Sequence, residues 1–303
     1  MHKEKSSFLE FFEFATSPMR EAAAYEALWD NDTASVKSIS EKVFKKNFIS
    51  FSSLIDPEVV DRYLKVINHK FEEMNYNIGM HFLGDAEYPD KLLDAKYPTP
   101  FIYFSGKWDL AFSPSVAIVG TRNPSPEGIK RTIQLVRNLV ADNFTITSGL
   151  AAGIDTAAHQ AAIDLKGNTI GVIGTPISEH YPRSNSALQK KIASEHLLIS
   201  QVPFIKYDHQ DYRKNRFFFP ERNKTMSALT MATIIVEAGE TSGSLIQAKA
   251  ALEQGRKLFI LDSCFHNENL TWPKKYEGMG AIRVRDYSDI INSLGSANQE
   301  FKN

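Results

Sequence analysis

The sequence predicts an α/β protein: a doubly wound, mainly parallel β-sheet preceded by a small all-α N-terminal domain. Three observations predict it. From Ser115 onward, short and continuously apolar runs recur: VAIVG (116–120), TITSG (145–149), TIGVIG (169–174), LLISQVP (197–203), TIIVEA (233–238), KLFILD (257–262) and AIRVRD (281–286). Between them lie stretches of helical character near 127–141, 155–165, 185–195, 222–231 and 243–254. Strands that are apolar along their whole length are buried on both faces, so helices must cover both sides. Right-handed crossovers then wind the sheet doubly. Before residue 78, in contrast, apolar residues recur at helical spacing.

The N-terminal elements follow in order. Ser17-Pro18 reads as an N-cap with proline at the first helical position, leading into MREAAAYEALW. Val36, Ile39 and Val43 mark a second helix. Asp56-Pro57 opens a third, with Val60, Leu64, Ile67, Phe71 and Met74 on one apolar face. A bundle of short helices results. A connector rich in Tyr, Pro and Gly follows, with a short apolar run FIYF (101–104). The expected boundary lies near Ile78, giving a helical domain 1–77 and an α/β domain 78–303 that includes the connector 78–113.

Composition narrows the function. The formal net charge is −1, so a nucleic-acid site has to be a local patch and not a cationic coat. Cys264 is the single cysteine, which rules out an intramolecular disulfide and fits a reducing compartment. Met1 to Phe14 lacks the uninterrupted apolar core of a signal peptide, and no window approaches the roughly 18 apolar residues of a membrane span. The expectation is a cytoplasmic protein without a membrane partner.

In a doubly wound sheet, ligands bind in the crevice at the carboxyl ends of the strands, so the loops leaving them carry the information. The first is GTRNPSPEG (120–128). Gly120 lets the chain turn, and Thr121, Arg122 and Asn123 stand at the crest before a helix N-terminus, where N–H groups and the helix dipole favour an anion. Arg122 adds a planar fork for phosphate. The loop is neither G-x-G-x-x-G nor a P-loop, so no dinucleotide cofactor and no P-loop hydrolase is expected. The second is SGLAAGID (148–155), where Ser148, Gly149 and Gly153 leave room for close approach of a ligand. Asp155 reads as an N-cap with His159 one turn on; a proton-relay pair and a plain cap beside a packed histidine are both open.

The third loop, Phe204 to Pro220, ends in RKNRFFFPERNK (213–224). Arg213, Lys214, Arg216, Arg222 and Lys224 interleave with Phe217, Phe218 and Phe219; cations for a backbone and aromatic faces for bases are what single-strand binding needs, although part of the cluster belongs to the core on any reading. Read as extended chain, Phe217 and Phe219 share a side and Phe218 opposes them, which assigns Phe218 to the groove. The fourth loop, EAGETSGSLIQA (237–248), places Ser242, Gly243 and Ser244 at another helix N-terminus, suited to phosphate or to ordinary capping.

Five segments in this order resemble the successive motifs of the DprA/Smf family: VAIVGTRNPSPEG, ITSGLAAGIDTAAHQAAI, GNTIGVIGTPI with Tyr181-Pro182, FPERNKTMSAL, and IIVEAGETSGSLIQAKAALEQGRKLF. The lead-in YPDKLLDAKYPTPFIYFSG (88–106) is similar too, and the likeness spans roughly residues 79–262. The resemblance implies an extended Rossmann-like fold and single-stranded DNA binding without catalysis. It further implies a homodimer, formed through the C-terminal part of the α/β domain, that loads a RecA-type recombinase in natural transformation (competence) and DNA recombination. By motif position, Arg122, Ser148, Gly149, Arg222, Asn223, Lys224, Gly243 and Ser244 are implied to face phosphates, with Arg122 and Arg222 contributing contacts and not folding energy. Lys224 stands where relatives often have Arg. The segment 263–281 departs from the family pattern, and the expectation is that the C-terminal winged-helix-like extension is absent. A role in a mobile element or phage defence is also open.

Two other classes are weighed. A nucleotide or nucleoside-phosphate hydrolase on a related fold would use Asp155, His159 and Glu237, but no paired carboxylates or metal-ligand spacing accompany them. A nucleotide sensor signalling through the helical domain is the third. The expectation is no enzyme, no cofactor and no metal.

Overall fold

The computed structural model describes residues 17–44, 48–74 and 77–295. The reading of Met1 to Phe14 lies outside the described residues. Among the described residues three α-helices come first: α1 (Pro18–Trp29), α2 (Val36–Val43) and α3 (Pro57–Glu72). Each starts where local chemistry allows it. Pro18 and Pro57 occupy first-turn positions whose N–H would be unpaired anyway, and Ser35 and Ser38 form a capping box before α2.

The sheet has nine strands in the order β1-β2-β6-β5-β4-β3-β7-β8-β9. They are β1 (Gly79–Phe82), β2 (Phe101–Gly106), β3 (Ser115–Val119), β4 (Thr145–Ser148), β5 (Thr169–Ile173), β6 (Leu197–Ser200), β7 (Ala232–Ile235), β8 (Lys257–Leu261) and β9 (Ile282–Val284). The seven strands β3 to β9 form the parallel, doubly wound part; β1 and β2 add antiparallel strands at one edge. β1 lies inside the segment expected to be a connector. The covering helices are α4 (Pro126–Ala141), α5 (Ile154–Asp164), α6 (Ser186–Glu195), α7 (Phe204–His209), α8 (Tyr212–Asn215), α9 (Phe218–Leu229), α10 (Ser244–Glu253), α11 (Trp272–Gly278) and α12 (Ser288–Leu294).

The strand order reverses at β3, which has β4 on one side and β7 on the other. The crevice beyond the carboxyl ends of β3 and β7 is therefore the topological switch point, the place where such sheets bind ligands. Alternation along β3 separates the two faces. Val116 and Ile118 pack with Leu135, Val136 and Leu139 of α4, whereas Ala117 and Val119 share a core with Met226 and Leu229 of α9.

One expectation changes here. The segment from Phe204 to Pro220 is not one long loop; it folds into α7 and α8, and α9 already begins at Phe218. Three consecutive phenylalanines therefore diverge around a helix start and do not alternate along an extended chain. The N-terminal helices also do more than pack on one another. Tyr25, Trp29, Ile39 and Ile67 belong to one buried cluster with Phe101, Tyr103, Phe204 and Phe218. Two buried polar groups fasten α1 to the α/β part. Tyr25 Oη donates to the Gln201 carbonyl at 2.9 Å. The Glu26 carboxylate accepts from the N–H groups of Phe204 (3.0 Å) and Ile205 (2.9 Å) at the start of α7, and from Tyr103 Oη (2.7 Å). Burial pushes the Glu26 carboxyl up to about 7 against these donors.

Within 263–281, Asp262–His266 forms a 3₁₀ turn, and Trp272 and Tyr276 of α11 are buried. No helix among the described residues is long and apolar enough to cross a membrane.

Candidate nucleic-acid interface

The crevice at the switch point encloses about 450 Å³ and is lined by the loops after β3 and β7, by Asp155 and by the start of α9. Its first wall is the loop after β3. Thr121 N–H donates to the Glu237 carbonyl at 2.7 Å, and Ile154 N–H donates to the Thr121 carbonyl at 3.2 Å, so the crest is tied to both neighbouring loops. Gly120 approaches Ile154 and the Glu237 carbonyl too closely for any side chain. Gly153, at φ +83, lies against the backbone of Thr121 and Arg122 in the same way. The space these glycines leave is filled by the protein itself and is not held open for a ligand.

The N-terminus of α4 was expected to attract an anion, and it holds one that the chain supplies. The Glu237 carboxylate accepts from Ser125 N–H at 3.0 Å and Ser125 Oγ at 2.7 Å, while Ser125 Oγ caps Gly128. The cation that this loop leaves at the crevice is Arg122. Its side chain is exposed and has no ion-pair partner among the described residues.

Arg222 forms the floor. It is 6% exposed, and its Nη1 donates to the carbonyls of Gly149 (2.5 Å) and Val172 (2.6 Å) while Nε donates to Asn223 Oδ1 (2.9 Å). Burial lowers its pKa to about 10, opposed by Asp155 and reinforced by Arg122, so it stays charged at neutral pH. Arg222 is thus a phosphate-facing candidate and a structural anchor at once, which corrects the division between contacts and folding energy. Asp155 is not an N-cap: Gly153 holds that position. The Asp155 carboxylate accepts from the N–H groups of Gly149 (3.1 Å) and Ala151 (3.4 Å), and burial raises its pKa to about 6 in spite of Arg222.

Ser148 is buried, and its hydroxyl donates to the Ile118 carbonyl at 2.6 Å, so its side chain does not reach the crevice. His159 is buried too, with Nδ1 2.7 Å from Thr169 Oγ1, and burial lowers its pKa to about 3. Each of the three is already engaged by neighbours in the chain: Asp155 by backbone N–H groups, Glu237 by Ser125 and His159 by Thr169. Among the described residues no group of three or more His, Cys, Asp or Glu could hold a metal ion.

The opposite wall is the N-terminus of α10. Here Gly243 is exposed with open space around it, Ser242 Oγ and Ser244 Oγ lie 2.5 Å apart, and Asn223 Nδ2 donates to the Gly243 carbonyl at 3.1 Å. Glu240, the nearest acid in sequence, is drawn away by Thr271, whose N–H donates to it at 2.9 Å. The first N–H groups are already engaged, Ser244 on Ser242 Oγ at 3.3 Å and Leu245 and Ile246 on the Ser242 and Gly243 carbonyls at 3.1 Å, so this helix end brings its dipole and its hydroxyls to the crevice and not free N–H groups.

Comparison with known proteins decides the family. The family model for DNA recombination-mediator protein A matches residues 79–295. The chain belongs to this family. DNA processing protein DprA of Bacillus subtilis is 33% identical over 220 residues, 72% of each chain. DprA of Streptococcus pneumoniae is 32% identical over 241 residues, 76% of this chain and 83% of that one. Protein Smf of Synechocystis is 39% identical over 216 residues, of which this chain covers 53% of the relative. Among solved structures, DprA from Streptococcus pneumoniae superposes with TM-score 0.67 at 27% identity, covering 95% of this chain and 96% of that one. DprA from Helicobacter pylori, described in a study of its single-stranded DNA binding mode, superposes with TM-score 0.61 at 28% identity, covering 73% of this chain and 96% of that one.

With the DprA motifs placed in space, the RKNRFFFPERNK segment divides. Arg222 and Asn223 line the crevice, together with Phe219 and Pro220. Lys224 does not; it pairs with Glu221 at 2.8 Å on another face of α9. Phe218, assigned to the groove on the extended reading, is 6% exposed and packs on Trp29 and Tyr207. Phe219 takes its place. Its ring lies 5.9 Å from the Arg222 guanidinium and 5.4 Å from the Tyr181 ring. Helical spacing is the signal for this: residues three and four apart share a face, so Phe219, Arg222 and Asn223 form one patch once α9 starts at Phe218. Phe217 is 74% exposed. Arg213, Lys214 and Arg216 are exposed and lie outside the crevice, with Arg213 over the Tyr212 ring at 5.8 Å.

Proposed function

We propose that this chain is a non-enzymatic recombination mediator that holds single-stranded DNA in the switch-point crevice. The observation that carries the reading is the meeting of exposed Arg122, charged Arg222, the serine-lined N-terminal end of α10 and the ring of Phe219 in one cleft. Cations, hydroxyls and a helix dipole suit a phosphate backbone, and an aromatic face beside them suits an unpaired base. The engagement of Asp155, His159 and Glu237 by neighbouring groups of the chain favours binding over hydrolysis. Family membership supports a place in DNA processing during transformation, with a RecA-type recombinase as partner, a homodimer as working form and the cytoplasm as compartment.

The test is fluorescence anisotropy with a labelled single strand and the matching duplex, beside an assay for nucleoside monophosphate hydrolysis. Tighter binding to the single strand with no hydrolysis is expected. Preference for duplex, or turnover of the monophosphate, would overturn the reading. Light scattering reports the assembly: a mass that stays at 34.1 kDa into the high micromolar range counts against a homodimer.

A further inference from the structure

A second hollow of about 500 Å³ lies across α9 from the crevice, between that helix and the N-terminal helices. Pro220 lines both. The two hollows therefore share one wall, the first turn of α9. Phe219, Arg222 and Asn223 face the crevice, while Phe217, Glu221 and Lys224 face the second hollow, as helical spacing requires.

The chemistry of the second hollow matches that of the first. Four lysines line it, Lys37, Lys206, Lys214 and Lys224, against two carboxylates, Asp32 and Glu221. Two of the lysines are paired, Lys224 with Glu221 at 2.8 Å and Lys37 more loosely with the neighbouring Glu41 at 3.8 Å, both on exposed or half-exposed surface. Lys206 is buried, with its ammonium on the Asn31 carbonyl at 2.7 Å, and Lys214 is exposed with no ion-pair partner among the described residues. Aromatic surface accompanies the charge. The half-buried Tyr97 ring has the Lys37 and Lys96 ammonium groups 5.8 and 5.6 Å from its centre, and the Phe217 ring stands exposed on the far side. A flat ring flanked by two cations suits a stacked base whose neighbouring phosphates meet the lysines.

We propose that the second hollow is a further nucleotide subsite, into which a single strand leaving the crevice passes over Pro220 toward Tyr97. This rests on the crevice reading and adds to it a role for the helical segment in holding DNA. Continuity with the crevice across Pro220 favours the same strand over a peptide or lipid occupant.

The test is an oligothymidylate length series measured by anisotropy with the full chain, comparing wild type with Tyr97→Ala and with the double variant Lys37→Glu/Lys214→Glu. None of these side chains belongs to the crevice, and circular dichroism melts check that each variant is folded. Expected is a wild-type affinity that rises with strand length, and variants that bind the longest strand roughly tenfold more weakly while binding the shortest as wild type does. Folded variants that bind every length as wild type overturn the subsite and leave the crevice reading intact. Folded variants that lose the shortest and longest strands equally also overturn it. Wild type that binds no single strand at all overturns both readings.

Discussion

Arg222 occupies the space that a side chain at position 149 would need. Its Nη1 donates to the Gly149 carbonyl at 2.5 Å, and a Cβ added at Gly149 would fall inside the guanidinium. The SG of the second loop and the RN of α9 are thus halves of one device, distant in sequence and locked in space. Gly149→Ala is expected to push Arg222 out of its seat, destabilising the fold by roughly 1–3 kcal/mol and weakening DNA binding together. Chemical denaturation and anisotropy on the same preparation check it; unchanged stability would mean that Arg222 has another comfortable position.

The two crevice arginines are expected to separate by experiment. Arg122→Ala removes an exposed, unpaired cation, so DNA affinity should fall by roughly 1–3 kcal/mol with the melting temperature near that of wild type. Arg222→Ala leaves the Gly149 and Val172 carbonyls without their donor and Asp155 without its nearby cation. A loss of roughly 3–5 kcal/mol of stability should follow, because a buried charge and two buried acceptors are abandoned. Equal melting temperatures for the two variants would refute the distinction.

The three phenylalanines should behave in three ways. Phe218→Ala is expected to cost roughly 3–5 kcal/mol of stability, as for any large ring removed from a packed core. Phe219→Ala should weaken single-strand binding by roughly 1–3 kcal/mol through lost stacking. Phe217→Ala should leave the melting temperature alone. If no substitution alters affinity in the folded fraction, aromatic stacking is not part of recognition here.

Salt dependence offers a fourth check. If about four phosphates are neutralised, log K should fall against log salt with a slope of about −3 for a single strand. An affinity indifferent to salt would be incompatible with cationic contacts to the backbone.

The Glu26 carboxyl predicts a pH effect. Folding raises its pKa from the ordinary 4.5 to about 7, so the folded state holds the proton more readily than the unfolded chain. The stability it adds is complete below about 4.5 and is lost as pH rises through about 7. His159, lowered to about 3, works the other way below its ordinary 6.5, so the comparison must be with a variant that differs only at position 26. Thermal melts from about pH 8 to about pH 5 should show wild type gaining on Glu26→Gln by up to roughly 3 kcal/mol. A constant difference across that range would contradict the assignment.

Much of this was legible in the sequence, for physical reasons. Strands such as VAIVG are buried on both faces and read as unbroken apolar runs, so the parallel sheet and its crossover helices could be placed within a few residues. The edge strand β1 could not: GMHF is short, mixed in polarity and paired with β2 alone. The loop crests were legible as places but not as partners. Nothing in TRNPSPEG announces that Glu237, more than a hundred residues away, will supply the anion at α4. The phenylalanine register failed because Pro220 sits inside the first turn of α9, where proline is tolerated, and was read as the end of a loop.

The cluster joining Tyr25, Trp29, Phe101, Tyr103, Phe204 and Phe218 bears on how the molecule can be cut. A fragment trimmed to begin at Gly79, where the family match starts, would lose α1 to α3 and present Phe101, Tyr103, Phe204 and Phe218 to water, along with the N–H groups of α7 that Glu26 now receives. Such a fragment is expected to be recovered from cells as inclusion bodies, and to regain solubility when the helical segment is supplied on a second polypeptide. In this chain the amino-terminal helices are the cover of one face of the α/β domain, and that face is not built to meet water.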